Sequence, residues 1–203
     1  MKKIFLILTI ALGLMVGSVW ADPIAPGMTV NIQKGTPQVD LGGEFAITTP
    51  SGFTFETFCI EHGETFGYGN NYIYSITNQA YKGGVDPPGD PLSEQSAWLY
   101  VQFRKNTLSN YNSEIGDARS LQLAFWKLEG EGDTADAQAL LWIGEANTAV
   151  GGGWANNGQV MVINLGVNND QQDMLTLVPE GRSWILRRYQ QTLYFQGFAE
   201  CFD

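Results

Sequence analysis

Cys59 and His62 are the first pair to weigh, because a thiol against an imidazole makes the thiolate–imidazolium couple of a cysteine hydrolase. Three residues apart on a strand, they point to opposite faces, which argues against that chemistry. His62 is the one histidine of the chain, so a histidine-rich metal site cannot be built, and Cys59 and Cys201 stand too far apart for a zinc knuckle. Glu56, Glu61 and Glu64 offer a carboxylate pair for glycosidic chemistry, yet carboxylates near a strand end are most often solvated. There is no phosphate-binding loop, dinucleotide fingerprint, nucleophile elbow or metalloprotease motif. The expectation is therefore a non-enzyme with no cofactor and no metal.

The elements that must position these residues change period along the chain. MTVNIQ (28–33) and GEFAITT (43–49) alternate apolar and polar residues, and FTFETFCI (53–60) and YIYSI (72–76) are rich in aromatic and β-branched residues, so all four read as strands. GGVDPPGDP (83–91) breaks regular structure. Helices follow. Ser93 is a cap for 93–105, where Ala97, Tyr100, Val101 and Arg104 share helical spacing. In 117–129, Leu121, Ala124, Phe125 and Leu128 form one buried stripe that ends at Gly130. A third helix over 134–146 is expected to bury Ala137, Leu140 and Leu141 and to end at Gly151–Gly153. QVMVINL (159–165) and MLTLV (174–178) return to strand. The fold class expected is α+β, a β-rich sandwich or barrel-like scaffold with an inserted helical region.

Two of these segments resemble the signatures of thioester domains: FCIE at 58–61, and LQLAFW at 121–126. In that family an aromatic–Cys strand and a Gln-x-Ala-x-Trp helix start supply an internal Cys–Gln thioester. The resemblance implies that Cys59 is the thioester cysteine and Gln122 the acyl donor, with Phe58, Ala124 and Trp126 as neighbouring motif positions. The family's common Thr before the glutamine is Leu121 here, and its usual Ile is Phe125. Physical chemistry sets the requirement independently. A glutamine amide is inert to thiols in water, so the link needs Cys59 held against the Gln122 carboxamide by two rigid elements. In helical projection Gln122 lies beside the apolar stripe on the side of Trp126, at the boundary of the core. The implied role is single-use covalent attachment to amine or hydroxyl groups of a surface or matrix protein or polysaccharide. The alternative is a non-covalent carbohydrate-binding β-sandwich, using aromatics such as Tyr68, Tyr72, Tyr74, Trp98 and Trp154.

Composition and ends complete the reading. Of 203 residues 44% are hydrophobic and 16% charged, which suits a folded domain and excludes disorder throughout. A net charge of −10 with no basic run in the interior excludes a nucleic-acid partner. Lys2 and Lys3, the apolar run 4–16 and Val19-Trp20-Ala21 read as a signal peptide over 1–21, so export is expected, with no stable membrane anchor once it is cleaved. A single domain over 22–180 and an irregular tail over 181–203 follow. Val178-Pro179-Glu180 resembles the start of the Val-Pro-Glu-Pro sorting signal of exported proteins of Gram-negative bacteria, but Gly181 replaces the second proline and no apolar run follows. Whether Cys59 and Cys201 pair is open at this level.

Overall fold

A chain that alternates apolar and polar residues pairs into sheets with one face in a core, and the computed structural model, which describes residues 28–35, 42–81, 89–112, 116–166 and 171–178, follows that rule. The strands are β1 (Thr29–Lys34), β2 (Phe45–Thr48), β3 (Thr54–Thr57), β4 (Asn71–Thr77), β5 (Gln79–Ala80), β6 (Asp90–Pro91), β7 (Val160–Leu165) and β8 (Asp173–Leu177). The helices α1 (Glu94–Arg104), α2 (Asp117–Leu128) and α3 (Ala137–Gly151) are inserted between β6 and β7. The segment 1–21, residues 179–180 of the sorting-signal resemblance and the tail 181–203 with Cys201 lie outside the described residues.

Six strands form one sheet in the order β3-β2-β1-β4-β7-β8, each pair antiparallel. Its two edges meet. β3 was expected to continue through Ile60, but it stops at Thr57, opposite Phe45, because β2 has no residue further back to offer: Gly42 and Gly43 turn away at φ 112° and 136°. The backbone groups of 58–60 still need partners, and they take them from the opposite edge. Leu175 N–H donates to Phe58 O (3.2 Å) and Ile60 N–H to Asp173 O (3.1 Å), with Cys59 bridged to Met174 between them. The Thr57 hydroxyl donates to Leu175 O at 2.6 Å. The sheet is thereby curled into the barrel-like form expected, and Cys59 sits on the closing seam.

This closure separates two cores. Phe58 and Ile60 face outward and pack with Leu99, Tyr100, Leu121, Phe125 and Trp142 of the helical layer, whereas Cys59 faces inward with Ile32, Ile47, Ile163 and Met174. Strand alternation alone dictates that split. The rings of Phe103 and Phe125 lie 5.0 and 5.3 Å from that of Phe58, fixing the register of the seam from the helical side.

The helices begin and end as their caps direct. The Ser93 hydroxyl accepts Ser96 N–H (3.1 Å) at the start of α1, and Gly130 follows α2 at φ 79°. α3 departs from expectation. It starts after Asp136, whose carboxylate accepts Ala139 N–H (2.9 Å), and it buries Ala139, Trp142 and Ala146. Leu140 and Leu141, expected inside, are 43% and 48% exposed. The face is chosen by Trp142, the largest side chain available, whose indole N–H reaches Ser109 O at 2.8 Å, while the small alanines let α3 approach α1 and α2 closely. No helix among the described residues is long and apolar enough to cross a membrane.

Candidate functional site

α2 positions Gln122 next to its buried stripe, so the side chain is carried inward with Leu121, Ala124 and Phe125 and ends only 1% exposed. A buried carboxamide must find hydrogen-bond partners, and Gln122 finds them on the closing seam. Its Nε2 donates to Cys59 O at 2.7 Å, and its Oε1 accepts Cys59 N–H at 3.3 Å. The carboxamide thus docks on the Cys59 backbone as a neighbouring peptide unit would. The same Oε1 accepts the Cys59 thiol at 3.2 Å. Two residues 63 positions apart in sequence are brought into contact at their reactive groups.

Cys59 is 4% exposed and carries a free thiol. Burial pushes that thiol up to about 12, against smaller lowering effects of its own backbone N–H and the Trp126 indole, and Glu61 adds to the rise. A thiol so held is protonated at neutral pH, unlike the thiolate of a cysteine hydrolase. Its hydrogen bond goes to Gln122 and not to His62. His62 is an exposed residue whose ring meets that of Trp126 edge-on, 4.6 Å away, and whose backbone N–H donates to the Glu131 carboxylate (3.3 Å). The Trp126 Nε1–H is buried and faces the Cys59 sulfur, with no other acceptor among the described residues. Ala124, another motif position, is fully buried in the helical core.

Gly42 closes the site from a third element. It holds φ 112°, and a Cβ there would lie 2.7 Å from Gln122 Cγ and 3.1 Å from both Cδ and Oε1. Only glycine lets the backbone approach the carboxamide this closely. Sequence reading missed Gly42; the Gly42-Gly43 pair signals a positive-φ turn but not what lies across from it.

Cys59 opens on a cleft of about 380 Å³, lined also by Gly42, Phe45, Phe66, Tyr68 and Trp126. Of the aromatics expected to make a sugar-binding face, Tyr68 lines this cleft, whereas Tyr74 is 2% exposed in the barrel interior and Trp98 and Trp154 pack on the helical core. They do not share one face. The expectation that the carboxylates after β3 are solvated fails at Glu61, which is 2% exposed, because closure of the seam carries it under β8. Gln172 Nε2 donates to Glu61 O at 2.6 Å and secures it there. Burial first, then Glu64 and Asp173, push the Glu61 carboxyl up to about 10.

No family profile matches the chain, and no curated protein is detectably similar to it in sequence. Comparison of folds does find a likeness. The chain is similar to the N-terminal thioester domain of the fibronectin-binding protein SfbI from Streptococcus pyogenes, with a TM-score of 0.51 over 78% of this chain and 98% of that one. The likeness is one of fold. At 12% identity it establishes the α+β architecture, six antiparallel strands with three helices, and leaves the chemistry to be argued from the residues.

Proposed function

We propose that this chain is an exported or surface-attached domain that forms an internal thioester between Cys59 and Gln122 and uses it once, to attach covalently to a partner. One observation carries the reading: the Gln122 carboxamide is fixed on the Cys59 backbone with its oxygen shared between the Cys59 N–H and the thiol. The likeness of fold to a thioester domain supports it. In the forming step Sγ bonds to Cδ of Gln122, the C–N bond breaks, and the thiol proton leaves with the nitrogen as ammonia. The Cys59 N–H faces the oxygen on which charge develops, and the preset contact replaces a bimolecular encounter. Burial of both groups keeps water from the product.

In the second step a primary amine or hydroxyl of the partner bonds to Cδ, the C–S bond breaks, the proton lost by the nucleophile passes to the departing sulfur and restores the Cys59 thiol, and an amide or ester remains on Gln122. As the bond breaks, the charge that builds on the Cys59 sulfur stands beside the Trp126 indole N–H, a donor with no other acceptor among the described residues. Because the partner stays joined to the Gln122 acyl group, the protein does not turn over and is not an enzyme. The partner class is a surface or matrix protein or a polysaccharide bearing amines or hydroxyls. The domain is read as 22–180.

The test is intact mass of the freshly purified chain. We expect a mass lower by one ammonia, absent in Cys59→Ala and Gln122→Ala, and a gain of one methylamine at Gln122 on incubation with that amine. A wild-type mass equal to that of the unreacted chain overturns the proposal. Reversible glycan binding is the second reading, favoured by Tyr68 and Trp126 facing the same cleft; it predicts binding that survives both alanine variants.

A further inference from the structure

A second concentration of chemistry lies at the seam where the residues after β3 meet β8. One carboxylate oxygen from each of Glu61, Glu64 and Asp173 lies within 4.8 Å of the other two. Glu61 is 2% exposed and Asp173 is fully buried. Neither oxygen of the Glu61 carboxylate receives a hydrogen bond from an N–H or hydroxyl donor among the described residues. The charged groups acting on Glu61 are Asp173, Glu64 and Glu131, every one acidic. Buried carboxylates keep company with a paired charge, a donor or a metal ion; Glu61 shares a hydrogen bond with another carboxyl, Glu64, and no cation among the described residues acts on it.

We propose that Glu61, Glu64 and Asp173 form a binding site for a hard divalent cation of the Ca²⁺ type. The donor set is oxygen only, which suits Ca²⁺ or Mg²⁺ and disfavours softer metals. An ion with Ca–O bonds of about 2.3–2.6 Å reaches oxygens spaced as these are. The supporting contacts are those of a prepared site. Gln172 Nε2 holds Glu61 by its carbonyl oxygen (2.6 Å), Tyr81 N–H holds Asp173 by Oδ2 (2.6 Å), and Ile60 N–H holds the Asp173 carbonyl (3.1 Å). Glu64 comes from the loop that lines the cleft. A bound cation would join that loop and the chain just past Cys59 to β8, stiffening the seam on which Cys59 is held.

The proposal does not depend on the thioester, so the experiment is run on the full chain both as wild type and with Cys59→Ala. Isothermal titration calorimetry with Ca²⁺, then Mg²⁺, after treatment with chelator is expected to show one site, with a dissociation constant of about 10⁻⁴–10⁻³ M for Ca²⁺, as in extracellular modules. At ten times that constant the melting temperature should rise by about 3–6 °C. Glu61→Gln should abolish both signals. Glu64→Gln, a change at a half-buried residue and so gentler on folding, should weaken binding at least tenfold. Absence of heat and of any melting shift with either ion overturns the site, as does a shift undiminished in both variants. So does a Glu61→Gln protein that simply gains stability without a cation while the wild type ignores Ca²⁺, because protonation would then be the way the cluster is neutralised.

Discussion

Replacing Gly42 with alanine tests the geometry of the Cys59–Gln122 contact without touching either residue. The new Cβ would stand 2.7 Å from Gln122 Cγ, and ordinary contact begins at 3.4 Å, so one of the two must withdraw by about 0.7 Å. Gln122 is held through its 2.7 Å bond to Cys59 O, and displacing it breaks the alignment of Cδ with the sulfur. A misplacement of about 1 Å in a preset reaction costs roughly 10²-fold, so ammonia loss in Gly42→Ala should be slowed by about 10- to 100-fold. The φ of 112° adds a strain of about 1–3 kcal/mol, which lowers the melting temperature whether or not the contact matters. Gly52→Ala separates the two effects. Gly52 sits at φ 82° with nothing within 4 Å of its Cβ position, so that variant should lose comparable stability and form the thioester at the wild-type rate. The assay is a time course of intact mass after refolding, with circular dichroism to confirm that each variant is folded. Ammonia loss by Gly42→Ala at the wild-type rate and extent would refute the claim that the backbone at 42 clamps the carboxamide.

Two further predictions rest on single groups. Trp126→Phe keeps a ring in the barrel core but removes the N–H beside the sulfur; a hydrogen bond to a charged group is worth about 1.5–3 kcal/mol, so reaction with methylamine should slow by about 10- to 100-fold, while an unchanged rate would leave the indole a packing role. Glu44 is 4% exposed and accepts the Tyr111 hydroxyl; burial, against the lowering effect of Tyr111 and with a smaller push from Glu56, raises its carboxyl from 4.5 to about 7. Between those two values the unfolded chain gives up the proton and the folded chain keeps it, so stability should fall as pH rises through that window, by about 2 kcal/mol after allowance for screening. Glu61, also raised, adds a slope of the same sign, so chemical denaturation from pH 4 to 8 should show stability falling more steeply in wild type than in Glu44→Gln; parallel profiles would rule it out.

Much of the architecture follows from periodicity that survives in any context. The alternating runs at 28–33 and 43–49 and the stripe Leu121, Ala124 and Phe125 bury the face they advertise, with Leu128 of that stripe only half-buried, because burying an apolar face is what makes such elements stable. Periodicity failed at α3, where leucines at 140 and 141 competed with Trp142, and only packing against α1 and α2 could rank the two faces. It also failed past Thr57, since the end of β3 depends on where its partner runs out, a property of β2 and not of the local sequence.

The candidate site divides in the same way. Cys59 and Gln122 could be named from their motifs, and Phe58, Ala124 and Trp126 with them, because those residues carry their chemistry or their apolar bulk wherever they sit. That Gln122 docks on the Cys59 backbone, that Gly42 covers it, and that Glu61 is drawn under β8 to meet Asp173 were decided by closure of the barrel. Sequence determines the residue types and the local periods; the contacts between residues far apart along the chain arise only when the edges of the sheet find each other, because unpaired backbone groups at 58–60 and β8 are satisfied together or not at all.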